Sequence, residues 1–379
     1  MIIDATRPYY QVGPDIFFSK LEALIKATKT NIHPTWHFTD HVWSAMDWTR
    51  DYNYDLQELY YRRARQLREK YDYIIISYSG GSDSRTVLDS FLKQGLHVDE
   101  ILHAWPRKAT ENIYSISNEP DNFLSEYDLV LKPDLEYIAK NHPEIKITFN
   151  DFSDQLLGED AEISDNDWFL VNDYMTPNVF RKYTSLTDEE TTMLETGKKT
   201  ACIWGVEKPQ ITYRDGKLFF YFLDKSANTR SVDAVNNRTS EFFFWTPDMP
   251  ELVQQQARAV YHHFKSFPQD LYLVDWDKRK KPKTKNNKRI LTDILRRVVY
   301  PDWHPDRFQA DKPTNMVWQE TDRWFFTHHQ DTRYFKSWKW GIDHVQKSVD
   351  QKYQEHSPEN GRFEGWVGFI NNFYNLGEL

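Results

Sequence analysis

The sequence predicts an α/β protein built on a doubly wound, mostly parallel sheet, with helical additions at its N-terminal and C-terminal ends. Three observations carry this. The run YDYIIISYS at 71–79 is short, apolar and bounded by polar residues, as a strand buried on both faces would be. A helical stripe (Val87, Leu88, Phe91, Leu92) and a second β-like run, LHVDEILHAW, follow it within about 35 residues, the span of a right-handed βαβ unit. The alternation then recurs downstream, in EIKITFNDF and TACIWGVEKPQ.

Taken in order, residues 1–70 read as a helical N-terminal region. PDIFFSKLEALIKAT puts Ile16, Phe17, Leu21, Leu24 and Ile25 on one side at helical spacing, and DLQELYYRRARQLREKY does the same with Leu56, Leu59, Tyr60, Ala64 and Leu67. Between them His33, His37 and His41 are spaced by four, which on one helix could align metal ligands. Pro34 and the absence of a Glu-flanked zinc motif favour an aromatic segment packed on the core instead.

Residues 71–265 are expected to form the α/β unit. SDSRTVLDSFLKQG is a helix stopped by Gly95. DNFLSEYDLVLKPDLEYIAKNHP is helical after Pro133, and TACIW is a buried strand ending at Gly205. Asp215-Gly216 between two aromatic runs predicts a β-hairpin near 211–224, an inserted or edge ribbon. TPDMPELVQQQARAVYHHFK returns to helix, opening at Thr246 or Asp248. Residues 266–379 read as a basic linker followed by an aromatic-rich helical region.

Composition narrows the functions. Against 48 Lys+Arg stand 57 Asp+Glu, so the net charge of -9 repels phosphate backbones and anionic membranes overall, and any nucleic-acid contact must be local. No apolar run reaches bilayer length, and the expectation is a soluble, cytoplasmic protein with no membrane partner. The single cysteine, Cys202, excludes an internal disulfide and, within one chain, a Cys-x-x-Cys zinc site or a cysteine-held iron–sulfur cluster.

The chain has only 13 glycines in 379 residues, so the adjacent pair Gly80-Gly81 in SGGSDS runs against its own trend. At the carboxyl end of a buried parallel strand, the turn into a helix points backbone N–H groups and the positive helix end at one spot, where an anion fits. Glycine permits positive φ and removes the Cβ atoms that would block approach. Ser79, Ser82 and Ser84 add hydroxyls. Asp83 adds a carboxylate that a bare anion site would not want and so points to a cation bridging phosphates. A Gly-Gly turn capping an ordinary helix would not account for Ser79, Asp83 and Ser84 together.

SGGSDS is neither a Walker A loop nor the dinucleotide fingerprint. It resembles the Ser-Gly-Gly-x-Asp-Ser loop of the PP-loop ATP pyrophosphatases, the adenine nucleotide α-hydrolase-like superfamily; the match covers 79–84 and beyond it is topological. The resemblance implies ATP and Mg²⁺ as cofactors, with cleavage of ATP to AMP and pyrophosphate. A substrate oxygen is adenylated, and an amine or sulfur nucleophile then displaces AMP. It implies that Ser77, Ser79, Gly80, Gly81, Ser82, Asp83 and Ser84 bind the nucleotide and that adenine lies by His103 and Ala104 after Leu102. A second basic anchor is expected, and GVEKP at 205–209, on the same edge of the sheet, offers Lys208. Its neighbour Glu207 is a candidate Mg²⁺ or substrate ligand with Asp83, and Gly205 a nucleotide contact; the alternative for Glu207 and Lys208 is a solvated loop with a salt bridge. Asp83 and Lys208 are the expected catalytic pair. Arg107, Lys108 and Arg85 are weaker candidates, Arg85 because the helix is expected to turn it outward.

Departures from subfamily patterns matter. Ile2 stands where amidotransferase members often carry a cysteine, and residues 1–70 are too few for a glutaminase domain, so ammonia or an amine must come free or from another chain. Cys202, expected to be a buried small hydrophobe, disfavours sulfur transfer and PAPS reduction, and the four-cysteine zinc site of deazaguanine synthases is missing. What the resemblance leaves is an asparagine-synthetase-like ligase or amidating enzyme with a small-molecule acceptor. The alternatives are a non-catalytic nucleotide-binding or regulatory subunit, and nucleobase modification in tRNA or DNA. The last would use the eight Lys or Arg of KRKKPKTKNNKR at 278–289, with Trp324, Tyr334, Trp338 and Trp340 among Arg323, Arg333, Lys336 and Lys339. A solvated linker before an aromatic core, or a basic lid over ATP, are the other readings of that stretch.

Overall fold

The computed structural model of the chain describes residues 8–105, 107–108, 127–157, 186–224, 237–276, 285–304, 327–356, 361 and 363–379. At the N-terminus, β1 (Tyr9–Val12) pairs antiparallel with β2 (Asp15–Phe17) and with β3 (Thr35–His37), and α1 (Lys20–Thr30) lies between the last two. The region is therefore not all helical. Ile16 and Phe17 belong to a strand, because Gly13 at φ 61° turns the chain back on β1 and Ser19 caps α1 only afterwards, its side chain accepting from the Glu22 N–H. His37 ends β3, and His41 sits in the four-residue α2 (Asp40–Trp43), so the three histidines share no helical face. His33 instead packs against Tyr353 and Phe369, as an aromatic core segment would. α3 (Leu56–Lys70) is capped by Asp55 and buries the apolar face read from its spacing.

The central sheet contains β4 (Tyr73–Ser77), β5 (Glu100–Ala104), β6 (Lys146–Asn150), β7 (Thr200–Trp204) and β10 (Arg238–Phe242). All its pairings are parallel, in the spatial order β10-β7-β4-β5-β6. The chain thus runs outward from β4 through β5 to β6, then returns to the other side of β4 for β7 and β10. Alternate residues of β4 face opposite ways: Ile74 and Ile76 join the main core, whereas Tyr73 and Ile75 join a smaller cluster with Leu102 and Cys202. Cys202 is buried, as expected of a small hydrophobe. Helices cover both faces. α4 (Ser82–Leu92) and α5 (Lys132–Asn141) contribute Val87, Leu88, Leu135 and Ile138 to the main core. Beyond α6 (Ser153–Leu157), α7 (Asp188–Glu195) brings Met193 to the smaller cluster. α4 ends in a Schellman turn: the Leu96 N–H donates to the Phe91 carbonyl at 3.1 Å and the Gly95 N–H to Leu92 at 3.0 Å, with Gly95 at φ 67°.

The hairpin forms where it was expected. β8 (Gln210–Arg214) and β9 (Lys217–Tyr221) are joined by Asp215 and Gly216 at φ 49° and 78°, the positive pair that a two-residue hairpin turn needs. It is a separate antiparallel sheet rather than part of the parallel one, and its outer partner is β13 (Tyr374–Glu378) from the end of the chain. α8 (Pro250–Ser266) starts at the proline, two residues after the latest expected opening. The C-terminal region has the helices α9 (Lys285–Val299) and α10 (Arg333–Ser348), but also β11 (Gln354–His356), β12 (Phe363–Trp366) and β13, so it too is not all helical. One apolar cluster runs from Tyr10 to Leu376 and joins these parts. No described helix is long and apolar enough to cross a membrane.

Asp51 ties α8 to the loop before α3. Arg258 grips its carboxylate with Nε at 2.7 Å and a second guanidinium N–H at 3.0 Å, and His262 lies 2.8 Å away. The Arg258 hydrogen bonds, aided by His262 and opposed by partial burial, hold the Asp51 carboxyl down at about 2. A depressed carboxyl pKa adds stability above the unfolded value and loses it as pH falls through the folded one. Stability measured by urea unfolding should therefore fall between pH 4 and pH 2, and Asp51→Asn should flatten that slope. The carboxylate is half exposed, so solvent screening keeps the effect modest.

Candidate phosphate-binding loop at the strand switch point

Strand order reverses between β4 and β7, and the carboxyl ends of the strands at such a switch point are where open α/β sheets bind ligands. The segment after β4 is SGGSDS and the one after β7 is GVEKP. Ser77 is the last residue of β4. Gly80 takes φ 77°, and a Cβ there would lie 2.9 Å from the Leu131 Cα, so this position requires glycine for both conformation and space. Gly81 is the N-cap of α4 and supplies no side-chain cap. The loop is held by its own serines. Ser84 Oγ donates to the Gly81 carbonyl at 3.2 Å and accepts the Ser79 N–H at 3.3 Å, while Ser79 Oγ accepts the Gly81 N–H at 3.4 Å. Ser84 is buried and shapes the loop, whereas Ser79 is exposed. Ser82 is 4% exposed, and its hydroxyl has no partner among the described residues.

The two segments touch. A Cβ on Gly205 would lie 2.9 Å from the Asp83 carbonyl carbon and 3.1 Å from the Ser84 nitrogen, so the backbone after β7 lies flat on the first turn of α4. Lys208 Nζ then reaches the Asp83 carboxylate at 2.6 and 2.7 Å. The sequence reading paired these residues, and the structure brings them together; the lysine is 12% exposed and the aspartate 34%. Glu207 Oε1 accepts the Lys208 N–H at 3.1 Å. Gly205→Ala is expected to push the two loops apart at a cost of about 1–3 kcal/mol, read as a lower urea midpoint.

A third partner was not legible in the sequence. Tyr300, directly after α9, donates its hydroxyl to Asp83, and Lys208 Nζ lies 5.8 Å from the centre of its ring. Tyr300 rests against Phe244, beyond β10, and α9 ends where the Val299 carbonyl accepts from the Tyr60 hydroxyl at 2.5 Å. Burial alone would raise the Asp83 carboxyl. The Lys208 charge and hydrogen bond, the Tyr300 hydroxyl and the Arg296 charge outweigh it and hold the group below the usual carboxylate range. Burial, followed by the charge of Asp83 and its hydrogen bond, pushes the Tyr300 phenol far above its ordinary value, with a smaller contribution from Glu207.

His103 and Ala104 lie one strand away, at the end of β5. The His103 Nδ1 is 2.9 Å from the Tyr78 carbonyl, at the start of the loop. Around them stand Trp105, Tyr127 and Phe149; Phe149 is 55% exposed. Arg85 does not turn outward: it is buried in ion pairs with Asp89, at 2.8 Å, and with Asp134, which also takes the Tyr78 hydroxyl. Lys108 is exposed and reaches Asp154 at 2.7 Å, so neither it nor Arg85 faces the loop as a free cation. Residues 277–284 of the basic stretch, with Arg323 and Trp324, lie outside the described residues. Trp340 is exposed and stacks on His344.

Among the described residues no group of three or more His, Cys, Asp or Glu converges as a metal cage. Asp83 accepts the Tyr300 hydroxyl, and Glu207 directly precedes the lysine that Asp83 holds, its Oε1 accepting the Lys208 N–H. One or two carboxylates are what Mg²⁺ takes from a protein when phosphate oxygens complete its shell. No protein-family model matches the sequence, and neither a curated protein nor a solved structure does.

Proposed function

We propose that this protein is an ATP-dependent adenylating enzyme of the ligase or amidating type, on an adenine nucleotide α-hydrolase-like fold. One observation carries the reading: a Gly-Gly loop opens α4 at the point where strand order reverses, and Lys208 from the facing loop is held on its aspartate. The N–H groups at the start of α4 would receive the phosphates, and Ser84 keeps the loop in the shape that presents them. Lys208 would leave Asp83 for the terminal phosphates. Asp83 and Glu207 would then hold Mg²⁺, which when bound neutralises charge developing on the departing oxygens. His103 and Ala104, walled by Trp105, Tyr127 and Phe149, suit an adenine ring.

The reaction balances without a covalent enzyme intermediate. An oxygen of a small carboxylate or amide attacks the α-phosphorus, the bond to the bridging oxygen breaks, and pyrophosphate leaves with the electron pair. Ammonia or an amine, free or from a partner chain, displaces AMP. The protein supplies alignment and electrostatic stabilisation.

The test is product identity. ATP labelled at the α-phosphate, incubated with Mg²⁺ and fractionated metabolites, should yield AMP and pyrophosphate. ADP as the product would overturn the reading. Closure of Asp83 by both Lys208 and Tyr300 favours a second reading, a regulatory nucleotide-binding subunit. That reading predicts ATP binding without turnover in every fraction.

A further inference from the structure

α9 brings more than Tyr300 to the loop. The Tyr300 N–H donates to the Arg296 carbonyl at 2.9 Å, so the arginine stands one helical turn before the tyrosine that touches Asp83. Residues four apart on a helix share a face, so Arg296 lies on the face of α9 that leads to Tyr300 and its contact with Asp83. Arg296 Nε is buried and has no hydrogen-bond partner among the described residues. Its guanidinium meets Asp293, on its own helix, only at 3.6 Å, longer than a good ion-pair hydrogen bond. The Ser82 hydroxyl, in the first turn of α4, is likewise buried and without a partner among the described residues. The Arg296 charge reaches Asp83. A buried N–H left without an acceptor costs free energy unless a ligand supplies one.

We propose that Arg296 is a specificity-determining residue of the phosphate loop: it binds the terminal diphosphate end of the nucleotide, opposite Lys208, and so selects triphosphate over monophosphate. The inference rests on the reading of residues 79–84 as a phosphate loop. A guanidinium presents a planar fork of donors that matches two phosphate oxygens at once, which the ammonium of Lys208 cannot do. The phosphate loop then has donors on three sides: the start of α4, the loop after β7 and α9.

The experiment is calorimetric titration of the whole chain with ATP, inorganic pyrophosphate and AMP, each with Mg²⁺, for the wild type, Arg296→Gln and Arg296→Lys. Arg296→Gln is expected to weaken ATP and pyrophosphate by about ten- to a hundred-fold and to leave AMP unchanged. Arg296→Lys should fall between, since it keeps the charge and loses the fork. Unchanged pyrophosphate affinity in Arg296→Gln, with a wild type that binds it, overturns the role of Arg296 and leaves the loop reading intact. Equal losses for AMP and pyrophosphate overturn it as well, since they mark general damage. A wild type that binds neither ATP nor pyrophosphate overturns the loop reading and the inference with it. If thermal melting finds Arg296→Gln unfolded, Arg296→Lys alone decides by the same comparison.

Discussion

Asp83→Asn is expected to abolish formation of AMP and pyrophosphate while leaving the fold in place, a loss of about a thousand-fold or more if the carboxylate charge acts at the reacting phosphates. Asparagine keeps the shape of the side chain and an oxygen that can accept from Lys208 and Tyr300, the two donors that meet on Asp83. What it removes is the negative charge, and with it a hard anionic ligand for a divalent cation. Asp83→Ala should be equally inactive but also less stable, because the Tyr300 hydroxyl is buried and would lose its acceptor, at a cost of about 1–3 kcal/mol. The pair of variants separates chemistry from folding: both lose turnover, and only the alanine lowers the unfolding midpoint. Retention of wild-type turnover by Asp83→Asn would remove Asp83 from the catalytic machinery. Lys208→Met offers an independent check. It frees the carboxylate from a cation 2.6 Å away, so the pKa of Asp83 should rise toward the ordinary carboxylate value, measurable by carbon-13 NMR.

Half of that constellation was legible in the sequence, and the reason is geometric. Gly80, Asp83 and Lys208 follow directly from strands, and in a parallel sheet the residues after each strand end share one edge. Recognising YIIIS and TACIW as buried strands was enough to bring positions 83 and 208 together although 125 residues separate them. Tyr300 instead follows a helix, and Arg296 lies within it. A helix can lie in many places on a sheet, and RRVVY has no feature that would aim it at α4; the contact between Tyr300 and Asp83 spans 217 residues and is fixed by Phe244 and Tyr60. The N-terminal strands were hidden by their shortness. Ile16 and Phe17 fit a helical stripe as well as a strand, and a three-residue strand leaves too short a pattern for periodicity to decide. Arg85 was misjudged because its partner Asp134 belongs to another helix, α5, whose approach to α4 is a property of packing.

The largest loss of stability is expected at Asp224→Ala, far from the loop. Lys20, in the first turn of α1, places its ammonium 2.6 Å from Asp224, and the two side chains are 1% and 0% exposed. The surroundings complete the shells of both. Asp224 also accepts the Tyr10 hydroxyl at 2.8 Å and the Phe369 N–H at 2.9 Å, while Lys20 donates to the Val367 carbonyl at 2.5 Å and lies over the Phe369 ring. Three distant stretches thus meet on one ion pair: the N-terminal sheet, the chain leaving the hairpin, and the segment before β13. Removing the carboxylate strands a buried ammonium, and breaking a buried pair in this way costs about 3–5 kcal/mol. Water cannot easily restore it, because Tyr10 and Phe369 pack edge to face over the site. Replacing both partners is a different experiment, since an apolar pair carries no desolvation penalty. Lys20→Met with Asp224→Leu should therefore recover much of what Asp224→Ala loses, and urea unfolding of the single and double variants would measure the difference. A double variant as unstable as the single one would mean that the pair holds the three stretches through its hydrogen bonds to Tyr10, Val367 and Phe369 rather than through its charges.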